Sequence, residues 1–452
     1  MEITKLKIQM KLWQKETSTD KKVESFTVGK DREFDILLAE FDVVGSIAHT
    51  EMLCQCELIS LNEKNEIHAG LKNILAEIHN GDFTIEENCE DVHSQIEFLL
   101  TKMIGEAGKK IHTARSRNDQ SLLDIKLFCR NEIKKTVSST EKLFNSLIEL
   151  SDKYKSDLLP GYTHLQLAMP SSFGLWFGAY AESLCDDLEL VQAAYSVADK
   201  NPLGSAAGYG SSFPINRELT TELLGFSGMN VNSVYAQMTR GKTEKIVSVA
   251  LASIASTLSK LSMDCTLFMN QNFGFISFPD NLTTGSSLMP HKKNPDVWEI
   301  IRGKCNRIQS LPNEFSLLLA NLPSGYHRDL QLTKEILFPA FSELNSCLEM
   351  AEFMLKHIIV SEKILDNKKY DFLFTVDSVN NEVKKGIPFR DAYRNVGQAV
   401  ENNTFQKPIE LTHNHTGSLG NSGNSLILDR FRNKINQFNF EKAENAIRQL
   451  CI

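Results

Sequence analysis

The sequence feature that most constrains the fold is a long apolar stripe between residue 118 and about residue 156. Apolar residues recur there at helical spacing, and no proline interrupts them. The stripe comprises Leu122, Leu123, Ile125, Phe128, Ile133, Val137, Leu143, Phe144, Leu147 and Leu150. The pattern predicts one amphipathic helix well beyond the usual length of about three to four turns. A helix this long needs other long helices beside it to cover its apolar face.

Long helical patterns also fill much of the middle of the chain, with few strand signals. They lie at 170–198, 236–272, 294–320 and 333–359. The second of these is apolar on more than one face, so neighbouring helices must bury it. We therefore predict an all-α fold with three mainly helical domains, at 1–112, 113–365 and 366–452. The central domain is a long-helix bundle, and association with further copies is the natural way to cover its apolar faces.

Composition and charge argue against several classes of function. A formal net charge of -8 over 452 residues argues against nucleic-acid binding and against binding to anionic membranes. The amino terminus is too charged for the apolar core of a signal peptide, and we expect no membrane span. The nine cysteines are scattered, so we expect reduced, mostly buried thiols and no zinc site. Together these features indicate a cytoplasmic protein.

The segment TTGSSLMPHKKNPDVWE, at 283–299, combines a Gly/Ser/Pro-rich loop with the start of a helix. Asn294 and Pro295 fit the N-cap and first residue of that helix, because a proline lacks only a donor that is unpaired there. Lys292 and the helix amino end could hold an anion over the loop. Ser286 could act as a base if these positive groups stabilised its alkoxide. Composition by itself favours the simpler alternative, a solvated basic surface loop.

Two arginines lead into the long helix, in the sequence HTARSRNDQ at 112–120. Positive side chains are mildly unfavourable at a helix amino end. The placement of Arg115 and Arg117 makes better sense if an anion lies between them and the helix, and a carboxylate matches the planar guanidinium fork. Ordinary surface pairing with Asp119 and Glu106 is equally compatible with the sequence.

Histidines occur in two polar segments. In PGYTHLQLAMP, at 160–170, His164 could transfer a proton near neutral pH and Thr163 could donate to a carboxylate. A purely structural histidine is the commoner alternative. His413 and His415 have no carboxylate or cysteine nearby in sequence, so we predict a polar loop there rather than a metal site.

A third polar run, GYHRDLQLTK at 325–334, supplies Tyr326, Gln331 and Lys334. These three residues cannot share one face of an ideal helix. A loop followed by a helix start could nevertheless bring them together, whereas a solvated basic segment is the alternative.

These motifs together resemble a known family. GSSLMPHKKNP resembles the signature loop of the fumarase/aspartase superfamily, and its combination with HTARSRNDQ, PGYTHLQ and YHRDLQLTK resembles the argininosuccinate lyases. The similarity is collinear from about residue 31 to residue 400 and includes DVVGSIAH near 42–49 and EDVHSQIE near 90–97. It implies a homotetramer of mainly helical subunits, with active sites built from three subunits and with no metal or organic cofactor. The implied reaction converts argininosuccinate reversibly to arginine and fumarate.

The resemblance also implies roles for individual residues. Ser286 corresponds to the base that removes a proton from the succinyl carbon, and Lys292 to the group that stabilises the resulting aci-carboxylate. His164, oriented by Glu299, corresponds to the donor of the proton that lets the guanidino nitrogen leave. The implied substrate-binding residues are Arg115, Asn118, Thr163, Asn294, Tyr326, Gln331 and Lys334.

Two positions depart from the family pattern. The family commonly has a serine where Asp31 stands, and this carboxylate would repel the fumarate half of the substrate but could pair with a guanidinium. The segment YAQMTRGK keeps Arg240 but lacks an acidic residue at 241.

Two other hypotheses stay open at this point: another fumarate-releasing lyase, such as an adenylosuccinate lyase, fumarase or aspartase, and a non-enzymatic structural tetramer. The motifs HTARSRNDQ and YHRDLQLTK favour the argininosuccinate lyases, and the retained acid-base residues weigh against a structural protein.

Overall fold

A computed structural model describes residues 20–87, 89–408 and 411–452, and the regular structure in them is predominantly helical, which confirms the all-α prediction. The helices are α1 (Lys21–Val28), α2 (Asp31–Asp35), α3 (Ala39–Gln55), α4 (Leu61–Asn80), α5 (Val92–Ile104), α6 (Arg117–Lys153), α7 (Phe173–Ala198), α8 (Arg217–Leu223), α9 (Ser233–Met238), α10 (Lys242–Phe268), α11 (Asp296–Ile308), α12 (Leu311–Leu318), α13 (Thr333–Lys356), α14 (Thr375–Lys384), α15 (Phe389–Glu401), α16 (Asn424–Ile435) and α17 (Phe440–Cys451). Two small antiparallel sheets pair β1 (Leu158–Thr163) with β2 (Gln166–Ser172), and β3 (Ile276–Ser277) with β4 (Ile359–Val360).

Helix α6 confirms the long helix that the apolar stripe predicts. Its 37 residues correspond to a length of about 55 Å. A capping box fixes its start: Ser116 Oγ accepts from the backbone N–H of Asn118 at 3.2 Å, and Asp119 accepts from the N–H of Ser116 at 2.9 Å. The apolar stripe is buried against α7 and α13, which run alongside α6 in the bundle.

Three of the predicted helix ranges differ from the observed ones. The segment 170–198 begins as strand and becomes helical only at Phe173. The segment 236–272 is divided into α9 and α10 by Gly241, whose φ of +79° is a conformation that glycine adopts without strain. The segment 294–320 is divided into α11 and α12.

The predicted N-cap at Asn294 is wrong. Helix α11 begins at Asp296, and Pro295 occupies the cap position without a side-chain hydrogen bond. Asn294 instead closes the preceding loop: its backbone N–H donates to Thr284 O at 2.9 Å, and its side-chain amide donates to Gly285 O at 3.3 Å. Asn294 therefore acts as a donor that closes the loop, and not as the acceptor that an N-cap provides.

The bundle has two distinct ends. At one end, called here the cavity end, Arg240 donates to Ser121 Oγ at 2.9 Å, and Thr333 donates to Glu244 at 3.3 Å. The amino ends of α6, α10 and α13 therefore lie together. At the opposite end, called here the loop end, Trp176 of α7 packs on Phe268 of α10, with ring centroids 5.1 Å apart.

Three further contacts belong to the loop end. The strand pair β3–β4 joins the segment after α10 to the segment after α13. The ring of Tyr162 in β1 lies 5.5 Å from the ring of Phe273. Arg302 of α11 contacts Met263 Sδ near the end of α10 at 3.1 Å. The β1–β2 hairpin and the start of α11 are therefore at the same end of the bundle.

Helix α10 is long and apolar enough, by length and composition, to cross a membrane, a feature that the sequence-based expectation of no membrane span did not include. Half of its most apolar window is buried inside the protein, where α10 packs against α7, α11 and α13. This packing is typical of the central helix of a bundle.

The state of the cysteines agrees with the expectation of reduced, mostly buried thiols. All nine have free thiols, and six of them are buried: Cys89, Cys129, Cys185, Cys265, Cys305 and Cys347.

Candidate active site

A cavity of about 220 Å³ lies at the cavity end of the bundle. It is lined by Asp31, Asp35, Glu90, Asp91, His93, Arg117, Asn118, Ser121, Arg240, Tyr326, Arg328, Gln331 and Lys334. Four of these residues, Asn118, Tyr326, Gln331 and Lys334, are among those expected to bind substrate. Tyr326 lies in a loop, Gln331 in a short 3-10 turn and Lys334 in the first turn of α13. A loop followed by a helix start thus brings them together, which is one of the two alternatives that the sequence left open.

Lys334 is buried between two carboxylates from α2. Its ammonium donates to Asp35 at 2.5 Å and also forms an ion pair with Asp31. Burial opposes the positive charge, but the two carboxylates outweigh this effect and raise the pKa of Lys334. Burial also raises the pKa of Asp31 to about 6, against the opposing effect of Lys334. The lysine therefore carries its charge inside the cavity wall.

Gln331 ties the cavity to α1. Its side-chain amide donates to Thr27 O and to Val28 O, each at 3.1 Å, and its Oε1 accepts from Arg328 at 3.2 Å. These carbonyls belong to the last turn of α1, where the helix itself leaves carbonyls unpaired. The contact positions α1 beside the mouth of the cavity.

The two arginines of the cavity rim pair with acids that follow α4 in the sequence. Arg117 contacts Asp91 at 3.1 Å and Glu90 at 3.7 Å, and Arg328 contacts Glu90 at 2.6 Å. The alternative that paired Arg117 with Asp119 or Glu106 is therefore not what the structure shows. Asp119 instead accepts from backbone N–H groups, including that of Gly204 at 2.9 Å.

The acidic residue that the family pattern has at position 241 is absent here, and another acid pairs with Arg240. The Arg240 guanidinium contacts Glu244, one turn into α10, at 3.1 Å, and it also donates to Leu330 O at 3.0 Å. An acid at 244 thus provides the negative partner that is missing at 241. Arg240 is thereby fixed against the segment that carries Gln331 and Lys334.

Arg115 lies beside the cavity rather than in its wall. It is buried and donates to Ser46 Oγ at 3.0 Å, while its Nε has no hydrogen-bond partner among the residues that the structure describes. It lines a smaller pocket that shares His93 and Arg117 with the cavity. An unpaired buried guanidinium nitrogen is costly, so an incoming acceptor would be bound favourably there.

A buried cluster of Asp42, His93 and Asp124 lies behind the cavity. Their donor atoms are within 4.8 Å of one another, a spacing at which three ligands could hold a metal ion. However, His93 Nδ1 is hydrogen-bonded to Asp42, and the positive charges of His93 and Arg115 both favour the ionised form of Asp42. We interpret the cluster as a hydrogen-bonded network that already contains its compensating cations.

The predicted base loop lies at the loop end. Ser286 Oγ accepts from the backbone N–H groups of Leu288 at 3.3 Å and Met289 at 3.1 Å. Two donors aimed at one oxygen stabilise negative charge on it. Lys292 is exposed in the same loop, and Asn294 closes its base.

Thr163 and His164 lie in a β-hairpin that the sequence pattern did not predict. The two residues of its turn, His164 and Leu165, have φ values of +55° and +56°, in the left-handed region that usually selects Asn or Gly. His164 is exposed at the tip of this hairpin. Backbone strain of this kind is found more often at functional sites than elsewhere.

Glu299 lies in the first turn of α11, on the helix that follows the base loop, as the sequence placed it. Its carboxylate is half exposed and lies 4.0 Å from Arg302. Within the described residues of one chain, no hydrogen bond joins Glu299 to His164, so the proposed orientation of the histidine stays a prediction.

The predicted site residues fall into two groups in one subunit. Arg115, Asn118, Tyr326, Gln331 and Lys334 are at the cavity end, whereas the base loop, the hairpin and Glu299 are at the loop end. Helix α10 connects the two ends, and its 27 residues correspond to about 40 Å. A single subunit therefore does not bring the two groups together.

Sequence reasoning did not assign roles to Asp35, Asp91 and His93, which line the cavity. The signal that could have identified them was present, because Asp91 and His93 lie in EDVHSQIE, one of the segments that resemble the family. Without the fold, nothing indicated that this segment faces Lys334.

Comparisons with known proteins establish the family of this chain. A family described as Lyase matches residues 14–310, which defines the chain as a lyase. The argininosuccinate lyase of Parabacteroides distasonis is 56% identical over 440 residues, covering 97% of this chain and 99% of the relative. That of Bacteroides thetaiotaomicron is 54% identical with the same coverage. The chain therefore belongs to the argininosuccinate lyase family of the fumarase/aspartase superfamily.

A solved structure shares the fold. A variant of EDDS lyase with bound fumarate superimposes with a TM-score of 0.75 at 19% identity, covering 94% of this chain and 93% of that one. At this identity the similarity concerns the fold, which is the helical architecture described above.

Proposed function

We propose that the protein catalyses the reversible elimination that converts argininosuccinate to arginine and fumarate. The observation that carries this proposal is the convergence of Asn118, Tyr326, Gln331 and Lys334 on one cavity, next to a wall of carboxylates. The substrate bears a guanidinium and an ammonium group as well as carboxylates, so a cavity with both signs of charge is complementary to it.

Ser286 is proposed as the base. The N–H groups of Leu288 and Met289 and the ammonium of Lys292 favour negative charge at this loop. Ser286 Oγ takes the proton from the succinyl carbon, and the electrons of that C–H bond move into the neighbouring carboxylate. Lys292 stabilises the resulting doubly charged aci-carboxylate. The C–N bond then breaks as the electrons return to form the double bond of fumarate.

His164 is proposed as the group that supplies the proton to the departing guanidino nitrogen. Its exposed position at a hairpin tip leaves the imidazole accessible, and the family resemblance assigns Glu299 to orient it. Thr163 and Asn294 would contact the carboxylates of the substrate from the hairpin and the base loop. Arginine then dissociates with the transferred proton.

The separation of the two groups of residues along α10 supports a shared active site. Acid-base chemistry requires the reacting groups to lie within about 3 Å of the substrate. The cavity of one subunit must therefore be completed by the base loop and hairpin of other copies, and we propose a homotetramer with composite sites. Exposed apolar residues on the bundle helices, such as Val249, Ile300 and Phe353, are suited to such interfaces.

The subunit is proposed to divide into domains at 1–112, 113–365 and 366–452, with the long helices α6, α7, α10 and α13 in the second. The ordinary hydrophobic content supports a cytoplasmic location. Limited proteolysis near residues 112 and 365 tests the division.

Fumarate release tests the proposed reaction. Purified protein given argininosuccinate should produce fumarate, followed by its ultraviolet absorbance, and should produce none from adenylosuccinate, malate or aspartate. The variant Ser286→Ala should lose at least about a hundredfold in kcat. Ser287→Ala is the matched control, because Ser287 is the exposed neighbour in the same loop. Activity that survives Ser286→Ala would disprove the role of Ser286 as the base. Turnover of one of the other substrates, with none of argininosuccinate, would disprove argininosuccinate as the substrate.

A further inference from the structure

Asp31 and Asp35 surround the ammonium of Lys334 with more negative charge than it can balance. One carboxylate would already neutralise this lysine, and the structure provides two, one turn apart on α2. The three charged groups carry a net charge of about -1 when all are ionised, by counting one unit charge each. Lys334 is therefore poorly suited to bind a carboxylate of the substrate.

The other charged groups that face Asp31 do not restore a positive balance. Arg240 is the cation nearest to this wall, and it is paired with Glu244. Elsewhere in the cavity lining, Arg117 is paired with Asp91, and Arg328 contacts Glu90 of the same segment. An added cation would be favoured at Asp31, whereas an added anion would compete with existing pairs.

The two aspartates differ in their remaining hydrogen-bonding capacity. Asp35 is 2% exposed, and its Oδ2 accepts from the backbone N–H of Val92 at 3.3 Å. Asp31 is 15% exposed and pairs with Lys334 through Oδ1, and its Oδ2 makes no hydrogen bond within the described residues. Asp31 is thus the carboxylate that still has an acceptor available to a ligand.

We propose that Asp31 determines specificity by making this wall of the cavity a subsite for a positively charged group of the substrate, a guanidinium or an ammonium. The proposal rests on the proposed function, since it assigns the arginine half of the substrate to the Lys334 side of the cavity. Asp35 acts as the internal counter-ion of Lys334, and Asp31 contacts the ligand.

The pH dependence of binding follows from the same contacts. Burial raises the pKa of Asp31 to about 6, because the charged carboxylate is poorly solvated there. A bound cation needs the ionised carboxylate, so cation binding should strengthen as the pH rises from 5 to 7. Lys334, Asp35 and Arg240 act on Asp31 directly, and His93 also lines the cavity, so the Asp31 variant is needed to assign the titration.

Calorimetric binding of arginine and of succinate to the intact protein tests the proposal. In Asp31→Ser and in the isosteric Asp31→Asn, the Kd of arginine should rise about tenfold, the loss typical of one charged hydrogen bond. Succinate should bind as well or more tightly, because Lys334 loses one of its two acids. Asp82→Asn, an exposed acid after α4, removes the same charge and should change neither.

Two further readouts separate specificity from structural damage. The increase of arginine affinity between pH 5 and pH 7 should disappear in Asp31→Asn, and the loss in fumarate release should fall on KM more than on kcat. An equal weakening of arginine and succinate would show that Asp31 only positions Lys334, and unchanged arginine binding would overturn the proposal. Because binding is measured without turnover, wild-type protein that binds arginine but releases no fumarate would refute the proposed reaction instead.

Discussion

His93 donates from Nδ1 to the carboxylate of Asp42, and both side chains are buried where α3, α5 and α6 meet. Burial opposes the charge on His93, but Asp42 outweighs this effect and raises the pKa of the imidazole. Asp124 lies 3.6 Å from the same nitrogen. Burial, together with the neighbouring Asp42 carboxylate, raises the pKa of Asp124 well above its usual range. The wall behind the cavity therefore holds an ion pair and, beside it, an acid that keeps its proton to a higher pH than an ordinary aspartate.

The raised pKa of Asp124 predicts that the effect of Asp124→Asn on stability depends on pH. Above a pH of about 4 the unfolded chain has lost this proton while the folded protein keeps it, so the folded protein binds more protons and loses stability as the pH rises. Asparagine carries no ionisable proton. The variant should therefore gain stability relative to the wild type between pH 5 and pH 8, by about 1 kcal/mol or more, the equivalent of one pKa unit. Urea midpoints at both pH values measure the difference; a pH-independent loss would show that Asp124 is ionised.

Separation of the two residue groups predicts complementation between inactive variants. Ser286→Ala removes the proposed base at the loop end, and Lys334→Met alters the cavity end. If each site combines the two ends from different subunits, mixed tetramers formed after dissociation and reassociation should recover activity in about a quarter of their sites. Each variant mixed with itself is the control. Fumarate release that stays at background in verified mixed tetramers would mean that one subunit supplies both groups.

The turn of the β1–β2 hairpin predicts a stabilising substitution. Leu165 has a φ of +56°, which costs a residue with a Cβ roughly 1 kcal/mol. Leu165→Gly should therefore raise the free energy of unfolding by about 0.5 to 1 kcal/mol. Leu167→Gly, two residues further on in β2, is the comparison and should destabilise the strand. If the thermal midpoints of Leu165→Gly and Leu167→Gly fell equally, the backbone of Leu165 would not be strained.

Close packing of α6 against α7 predicts that Gly174 does not tolerate a larger side chain. A Cβ added to Gly174 would lie 2.6 Å from Lys155 Cα and 2.8 Å from Ser151 O, both backbone atoms that cannot move aside easily. Gly174→Ala should therefore cost about 2 kcal/mol of unfolding free energy. Gly397 in α15 has no such neighbour within 4 Å, so Gly397→Ala should add up to about 1 kcal/mol. Denaturant unfolding of both variants gives the test; equal effects would refute the packing explanation.

Local pattern was sufficient for some features of the fold and the site. The apolar stripe predicted α6 within a few residues, because 37 residues of regular spacing outweigh any local ambiguity. The run 325–334 left the convergence of Tyr326, Gln331 and Lys334 possible, and the resemblance to the family assigned the three residues to one site. Local pattern failed at the hairpin, whose turn lacks the Asn or Gly that usually marks such a connection.

Contacts between segments that are distant along the chain could not be predicted from the sequence pattern. His413 has no carboxylate nearby in sequence and was expected in a polar loop, and its ring contacts Asp377, in a helix 36 residues away in sequence, at 2.6 Å. Asn294 bonds across its own loop instead of capping α11: its backbone N–H and its side-chain amide donate to the carbonyl oxygens of Thr284 and Gly285. In both cases the partner is distant along the chain, and only the three-dimensional arrangement brings it within hydrogen-bonding distance.

The sequence by itself determined the helical class of this protein, its long central helices and the motifs that identify its family, because these depend on periodicity and on residue identity within short segments. The tertiary structure decided that Lys334 lies between Asp31 and Asp35, that His93 is held by Asp42, and that the base loop lies a helix length from the cavity. These relationships depend on how α2, α5, α6 and α13 pack, and packing joins residues that no local pattern connects.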